Sequence, residues 1–109
     1  MVYRLRRKDG GAAAESRATL IDATGATRLY GPGDFRLSPA AWWTSPRTGA
    51  RYPIAVVIEL PAAGLRLATR PLLDDQELAL SFRYWEGAVT AEGSGLTARG
   101  YLELTGYAR

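Results

Sequence analysis

Apolar and polar residues alternate along almost the whole chain, and a 3.6-residue repeat is nearly absent. Tyr52 to Leu60 is the clearest case. Tyr52, Ile54, Val56, Ile58 and Leu60 share one face, while Pro53, Ala55, Val57 and Glu59 share the other. Both faces are apolar near the middle, so this strand is expected to be covered on both sides. The same period predicts strands over 2–8, 17–22, 28–30, 35–44, 65–71, 78–92 and 96–107. Turn residues punctuate them: Asp9-Gly10-Gly11, Ala23 to Ala26, Gly31-Pro32-Gly33-Asp34, Ser45 to Gly49, Pro61 to Gly64 and Asp74-Asp75-Gln76. In 45–49, proline presets φ at the second position and glycine accepts a positive φ later. Pro39 inside a strand pattern predicts an edge or a bulge. Only 12–16 (AAAES) has helix propensity, and it is too short to persist alone. The count predicts an all-β, antiparallel protein of about eight strands, a barrel or a sandwich, with at most one short helix.

The last two segments form a hairpin around Gly93-Ser94-Gly95. Leu102 and Leu104 define one face of the final strand, and Tyr101, Glu103, Thr105 and Tyr107 the other. Matching apolar to apolar sets Trp85 and Val89 beside the leucines, and Glu86 with Glu103 on the opposite face. A two-residue loop, Ser94-Gly95, puts the two acids directly across from each other, and a slip of two positions makes them diagonal neighbours; either way they lie within roughly 5–8 Å. Like charges so placed repel unless one holds a proton or an arginine bridges them, with Arg51, Arg83 and Arg99 as candidates. Glu86 and Glu103 are therefore the candidate catalytic pair: an acid of raised pKa among tyrosines can protonate an alkene or enol. The other reading makes them hydrated residues on an outer sheet face. Gly100 and Gly106 lie within a strand pattern and predict a bulge, a bend or a close backbone approach.

Composition narrows the chemistry. At 109 residues the chain is one domain with room for a single core. It has no cysteine and no histidine, which removes disulfides, thiol nucleophiles, Ser-His-Asp triads and the usual zinc sites. No metal and no cofactor is expected. The net charge of +3 is carried almost wholly by arginine, and Lys8 is the only lysine. The densest basic run, Arg4 to Lys8, is confined to one end, whereas a nucleic-acid reader spreads charge over an aromatic-studded face, so no nucleic-acid partner is expected. No apolar run is long enough to span a membrane as a helix, and no secretory signal follows Met1. Trp42-Trp43 places adjacent indoles on opposite faces of a strand, one in the core and one free to line a pocket. Arg47 and Arg51 flank a loop where they can meet an anion or stay solvated.

The stretches WTSPRTGARYP (43–53), PLLDDQEL (71–78), YWEGAV (84–89) and RGYLELTGY (99–107) resemble the AttH and carotenoid 1,2-hydratase (hydroxyneurosporene synthase-like) family, also described as lipocalin-like. YRLRRKDG (3–10) is similar to the strand with which the second half of that family begins. The resemblance implies two successive lipocalin-like β-barrel domains, of which residues 1–109 are the C-terminal one. It implies an apolar, polyene- or lipid-like ligand, and Tyr84, Trp85, Tyr101, Tyr107 and Trp43 are the ring-bearing candidates to hold it. Some members hydrate carotenoid double bonds by acid catalysis, so a hydro-lyase is the enzymatic alternative, inert here without the N-terminal half. A third alternative is a domain that only braces that half. The implied setting is bacterial, periplasmic or membrane-associated in the full-length form. The implied partners are the apolar molecule, the preceding domain, a membrane surface and a second copy of the chain.

Overall fold

The structure is a computed structural model and describes residues 1–108. Among these residues nine strands form two antiparallel sheets. β1 (Val2–Tyr3), β2 (Arg17–Ile21) and β3 (Thr27–Tyr30) make the smaller one, in that order. The larger holds β4 (Arg36–Thr44), β5 (Arg51–Leu60), β6 (Leu65–Pro71), β7 (Glu77–Ala79), β8 (Arg83–Gly93) and β9 (Leu96–Leu104). Its order is β4-β5-β6-β8, with β9 along the other side of β8 and β7 sharing the β6 side. The helical content is one 3-10 turn, Pro61–Ala63.

The expected antiparallel all-β class is found, but the expected closed barrel is not. Among the described residues β4 and β9 are free edges of an open sheet, and β1–β3 form a sheet of their own instead of joining them. Barrel closure needs consistent tilt and stagger around a full ring of strands, and six strands with a three-residue β7 do not supply it. The radius of gyration, 14.5 Å, exceeds the roughly 13 Å of a compact chain of this length.

Sequence punctuation explains most boundaries. The β4–β5 turn is closed by Gly49 N–H donating to Ser45 C=O at 2.8 Å, with Gly49 at φ 73°. Register shifts fall between Pro39 and Ala41 and between Ala41 and Trp43, so Pro39 marks both an edge strand and a bulge. Bulges and proline blunt an exposed edge against pairing with other chains. The single strand expected over 78–92 is instead two, broken at Leu80-Ser81-Phe82. Between the stretches of β8 paired to β6 and to β7, Gln76 fills the gap. Its Oε1 accepts from Ala88 N–H at 3.2 Å and its carbonyl from Glu86 N–H at 3.3 Å.

The core lies on the β5 face named by Tyr52 and Ile54. Ala50, Tyr52, Ile54, Trp85, Val89 and Leu104 are buried together, with Trp43, Leu102, Tyr107 and Ala108 packed against them. The β8–β9 ladder pairs Trp85 with Leu104 and Val89 with Gly100. Gly100 lies in a regular ladder and not at a bulge, and a Cβ there would meet Val89 at 3.6 Å, an ordinary contact. Gly93 is more constrained: at φ 147°, a Cβ there would collide with the Arg66 carbonyl oxygen. Gly93→Ala is expected to destabilise the chain by about 1–3 kcal/mol, measured as a lower midpoint in urea unfolding at unchanged slope.

Candidate functional site

The β8–β9 hairpin organises the candidate site. Ser94 and Gly95 are its two loop residues, at φ 48° and 73°. Positive φ at both central positions is the signature of the I′ turn that suits the right-handed twist of paired strands. Ser94 takes this conformation while its Oγ accepts a hydrogen bond from Arg66 N–H at 3.0 Å. The loop fixes the register, and the register pairs Glu86 with Glu103. Alternation then sorts the predicted residues onto two faces.

Tyr84, Glu86, Tyr101 and Glu103 share the outer face. The Tyr84 hydroxyl donates to Glu86 Oε1 at 3.5 Å. Phe82 joins them, its ring 5.0 Å from that of Tyr84. Burial, and then the negative charges of Glu86 and Glu103, push the Tyr84 phenol above its ordinary value, so it stays a proton donor at neutral pH. Glu103 is exposed and Glu86 half-buried. None of the three candidate arginines bridges the acids, and no salt bridge among the described residues involves either of them.

Trp85, Trp43 and Tyr107 lie on the core side. Trp85 is fully buried, and its indole N–H donates to Asp74 C=O at 2.8 Å. Trp43 stacks on Tyr52 with centroids 6.3 Å apart, and Tyr107 tilts against Tyr52 at 6.0 Å. Trp42, 44% exposed and outside the buried cluster, meets the Tyr107 ring at 6.4 Å, so the two indoles divide between core and surface as alternation predicts. Arginines cap this cluster: Arg6 lies 3.8 Å from the Tyr107 ring centre and Arg51 lies 4.6 Å from that of Trp42. Such stacking is worth about 0.5–1 kcal/mol where exposed, and it gives Arg51 an aromatic partner.

Two features escaped the sequence reading. The first is a buried carboxylate. Glu77 Oε1 accepts from Ser45 Oγ at 2.7 Å, and its Oε2 accepts from Thr48 Oγ1 and Tyr52 Oη, each at 2.8 Å. Arg47 lies 3.6 Å from Glu77 Oε1, donates to Glu77 C=O at 3.1 Å and pairs with Asp75 at 2.9 Å. Burial pushes the Glu77 carboxyl up, but these hydrogen bonds and Arg47 outweigh it and hold the group below its ordinary value. Every polar atom of this cluster is satisfied by another, so it clasps the 45–49 turn to β7. It accounts for Arg47, which is not a free anion-binding group.

The second is an open hollow of about 530 Å³ lined by Leu80, Ser81, Phe82, Arg83, Gly106 and Ala108. Leu80 and Phe82 are 72% and 60% exposed. Tyr107 and Tyr84 flank it, one in sequence and one by ring contact. The only advance signal was Phe82, which shares parity with Tyr84 and Glu86. The strand break that opens the hollow gave none. Groups of His, Cys, Asp or Glu able to hold a metal are absent among the described residues.

The described residues thus form an open antiparallel all-β structure with an aromatic core, an acid–tyrosine outer face and an open hollow at one end. The AttH-like family model matches residues 1–107, and the chain belongs to that family. The crystal structure of an AttH protein from Nitrosomonas europaea superposes with a TM-score of 0.89 at 40% sequence identity. The match covers 99% of this chain and 34% of that one, so the chain spans about a third of its relative's length. No curated protein matches it.

Proposed function

We propose that the chain is a binding module for an apolar, polyene- or lipid-like ligand, acting within an AttH-type protein alongside a preceding lipocalin-like domain. The observation that carries this is the hollow at the β7–β8 break, where exposed Leu80 and Phe82 adjoin the aromatic core beside Tyr107. Its volume lies within the range of small-molecule sites, roughly 300–1,000 Å³. Its lining is mostly apolar, with Arg83 as the charged group that can orient a polar end. Family membership supports the scaffold, and the exposed Leu72 and Leu73 on the loop leading to β7 offer apolar surface for a neighbouring domain. The test is fluorescence titration with cis-parinaric acid, a polyene whose emission rises in an apolar site. Wild type is expected to saturate, and Phe82→Asp to weaken binding about tenfold or more. A linear, unsaturable response in wild type refutes the proposal.

The facing acids favour one second reading, a hydro-lyase that protonates an isolated C=C bond through Glu86 or Glu103, with Tyr84 donating to the carboxylate. Glu103 is open to water, whereas small-molecule sites are mostly concave and apolar. Under the binding reading, Glu86→Gln and Glu103→Gln retain polyene affinity within about twofold. Under the hydro-lyase reading they abolish hydration of a carotenoid by the longer protein, scored by product chromatography.

A further inference from the structure

The outer face of β6, β8 and β9 carries charges in rows. Ala88 pairs with Tyr101 at its centre. Two residues one way, Arg70, Thr90 and Arg99 lie side by side across three strands. Two residues the other way, Glu86 and Glu103 lie opposite each other. Each charged row is about 7 Å from the centre. The arginines, Thr90, Glu103 and Tyr101 are exposed, Tyr101 at 67%. No salt bridge among the described residues involves Arg70, Arg99, Glu86 or Glu103. Two cations and two anions of one face therefore stand in unpaired like-charge rows, equidistant from an exposed tyrosine.

We infer that this face binds a second copy of the chain. A two-fold axis lying along the Ala88–Tyr101 row, midway between two facing sheets, reverses the strand direction and carries each arginine row over an acidic row. Arg99 then faces Glu103 of the partner subunit, and Arg70 reaches Glu86 of the partner subunit. Sheets stack about 10 Å apart, a gap that an arginine and a glutamate span together. The contact is isologous, so one row of opposite charges satisfies both halves. Tyr101 meets its equivalent at the centre, where aromatic anchors carry most interface energy. Glu92, one row beyond the arginines, comes over the row of Tyr84 of the partner subunit. The repulsion between Glu86 and Glu103 is thereby offset from outside the chain, by groups that no arginine of the same chain supplies.

Sedimentation equilibrium of the whole chain tests this. Wild type is expected to dimerise at micromolar concentrations, more weakly as salt rises. Arg70→Glu/Arg99→Glu and Glu86→Arg/Glu103→Arg are each expected to be monomeric, with Kd raised more than tenfold. Mixing the two variants is expected to restore the dimer, because every row then meets its opposite. Arg99→Gln, a mild change at an exposed position, is expected to raise Kd about tenfold and keeps the test open should a double variant not fold. A monomeric wild type, which a face reserved for another polypeptide gives, overturns the inference. So does a dimer unchanged in the reversal variants and in Arg99→Gln, which edge-to-edge pairing of β9 gives, or a mixture of folded variants that stays monomeric.

Discussion

Trp85→Ala will cost the chain about 3–5 kcal/mol, a large share of the roughly 5–15 kcal/mol that holds a domain of this size together. The indole sits at the meeting point of the structure. It is fully buried, pairs across the hairpin with Leu104 and across the other edge of β8 with Glu77, and donates its N–H to Asp74 C=O at 2.8 Å. Truncation opens a void that the sheet cannot collapse into, because Tyr52, Val89 and Leu104 are fixed by their own strands. It also leaves the Asp74 carbonyl without its indole donor. Trp85→Phe keeps much of the volume and loses the hydrogen bond, and is expected to cost about 1–3 kcal/mol. Urea unfolding followed by far-UV circular dichroism separates the two. Near-equal losses would mean that the void closes and that the lost hydrogen bond carries the cost.

Glu77→Ala will cost about 3–5 kcal/mol. Removing the carboxylate strands the hydroxyls of Ser45, Thr48 and Tyr52 in a buried pocket and frees Arg47 from its inner partner. Glu77→Gln keeps the shape and one acceptor oxygen but gives up the charge-assisted bonds, at about 1–3 kcal/mol. The pH dependence follows from the same geometry. The folded-state value of Glu77 lies below its unfolded value, so its contribution is present above the ordinary carboxylate range and is lost as pH falls through the lowered value. Tyr52 sets the opposite limit. Burial first, and then its hydrogen bond to Glu77, push its phenol up to about 12. Its contribution is full below about 10 and disappears as pH rises towards 12. Stability measured across pH is expected to fall at both ends in wild type. In Glu77→Gln the acid limb flattens. An acid limb of wild-type steepness in that variant would assign it to another carboxylate.

Particular residues show how far the sequence could be read. The alternation in 52–60, the two-residue Ser94-Gly95 loop and the edge-and-bulge position of Pro39 follow from local backbone sterics and are found in the structure, whereas the strand read over 96–107 ends at Leu104. The shared face of Glu86 and Glu103 follows from alternation, while the structure selects the direct pairing over the slip of two positions that the sequence left open. What escaped is non-local. Glu77 reads as the end of a polar loop, and only the tertiary approach of the 45–49 turn surrounds it with three hydroxyls. Trp43 packs on the core and Trp42 stays exposed, as parity predicts, but their ring partners Tyr52 and Tyr107 come from other segments. The expected barrel failed for a similar reason. Strand count sets how many strands exist, whereas closure depends on which edges meet, and β1–β3 pair with each other. The ligand candidates Tyr84, Tyr101, Trp85, Tyr107 and Trp43 were joined as one set by their aromatic character, and the sheet divides them between two faces.

The binding proposal is tested most directly by following every backbone amide by NMR while cis-parinaric acid is added to the isotope-labelled chain. The expected result is a saturable set of shifts confined to Leu80–Arg83, Tyr84 and Gly106–Ala108. Shifts absent throughout, or centred on Glu86 and Glu103 while Leu80, Phe82 and Ala108 stay unmoved, would contradict it.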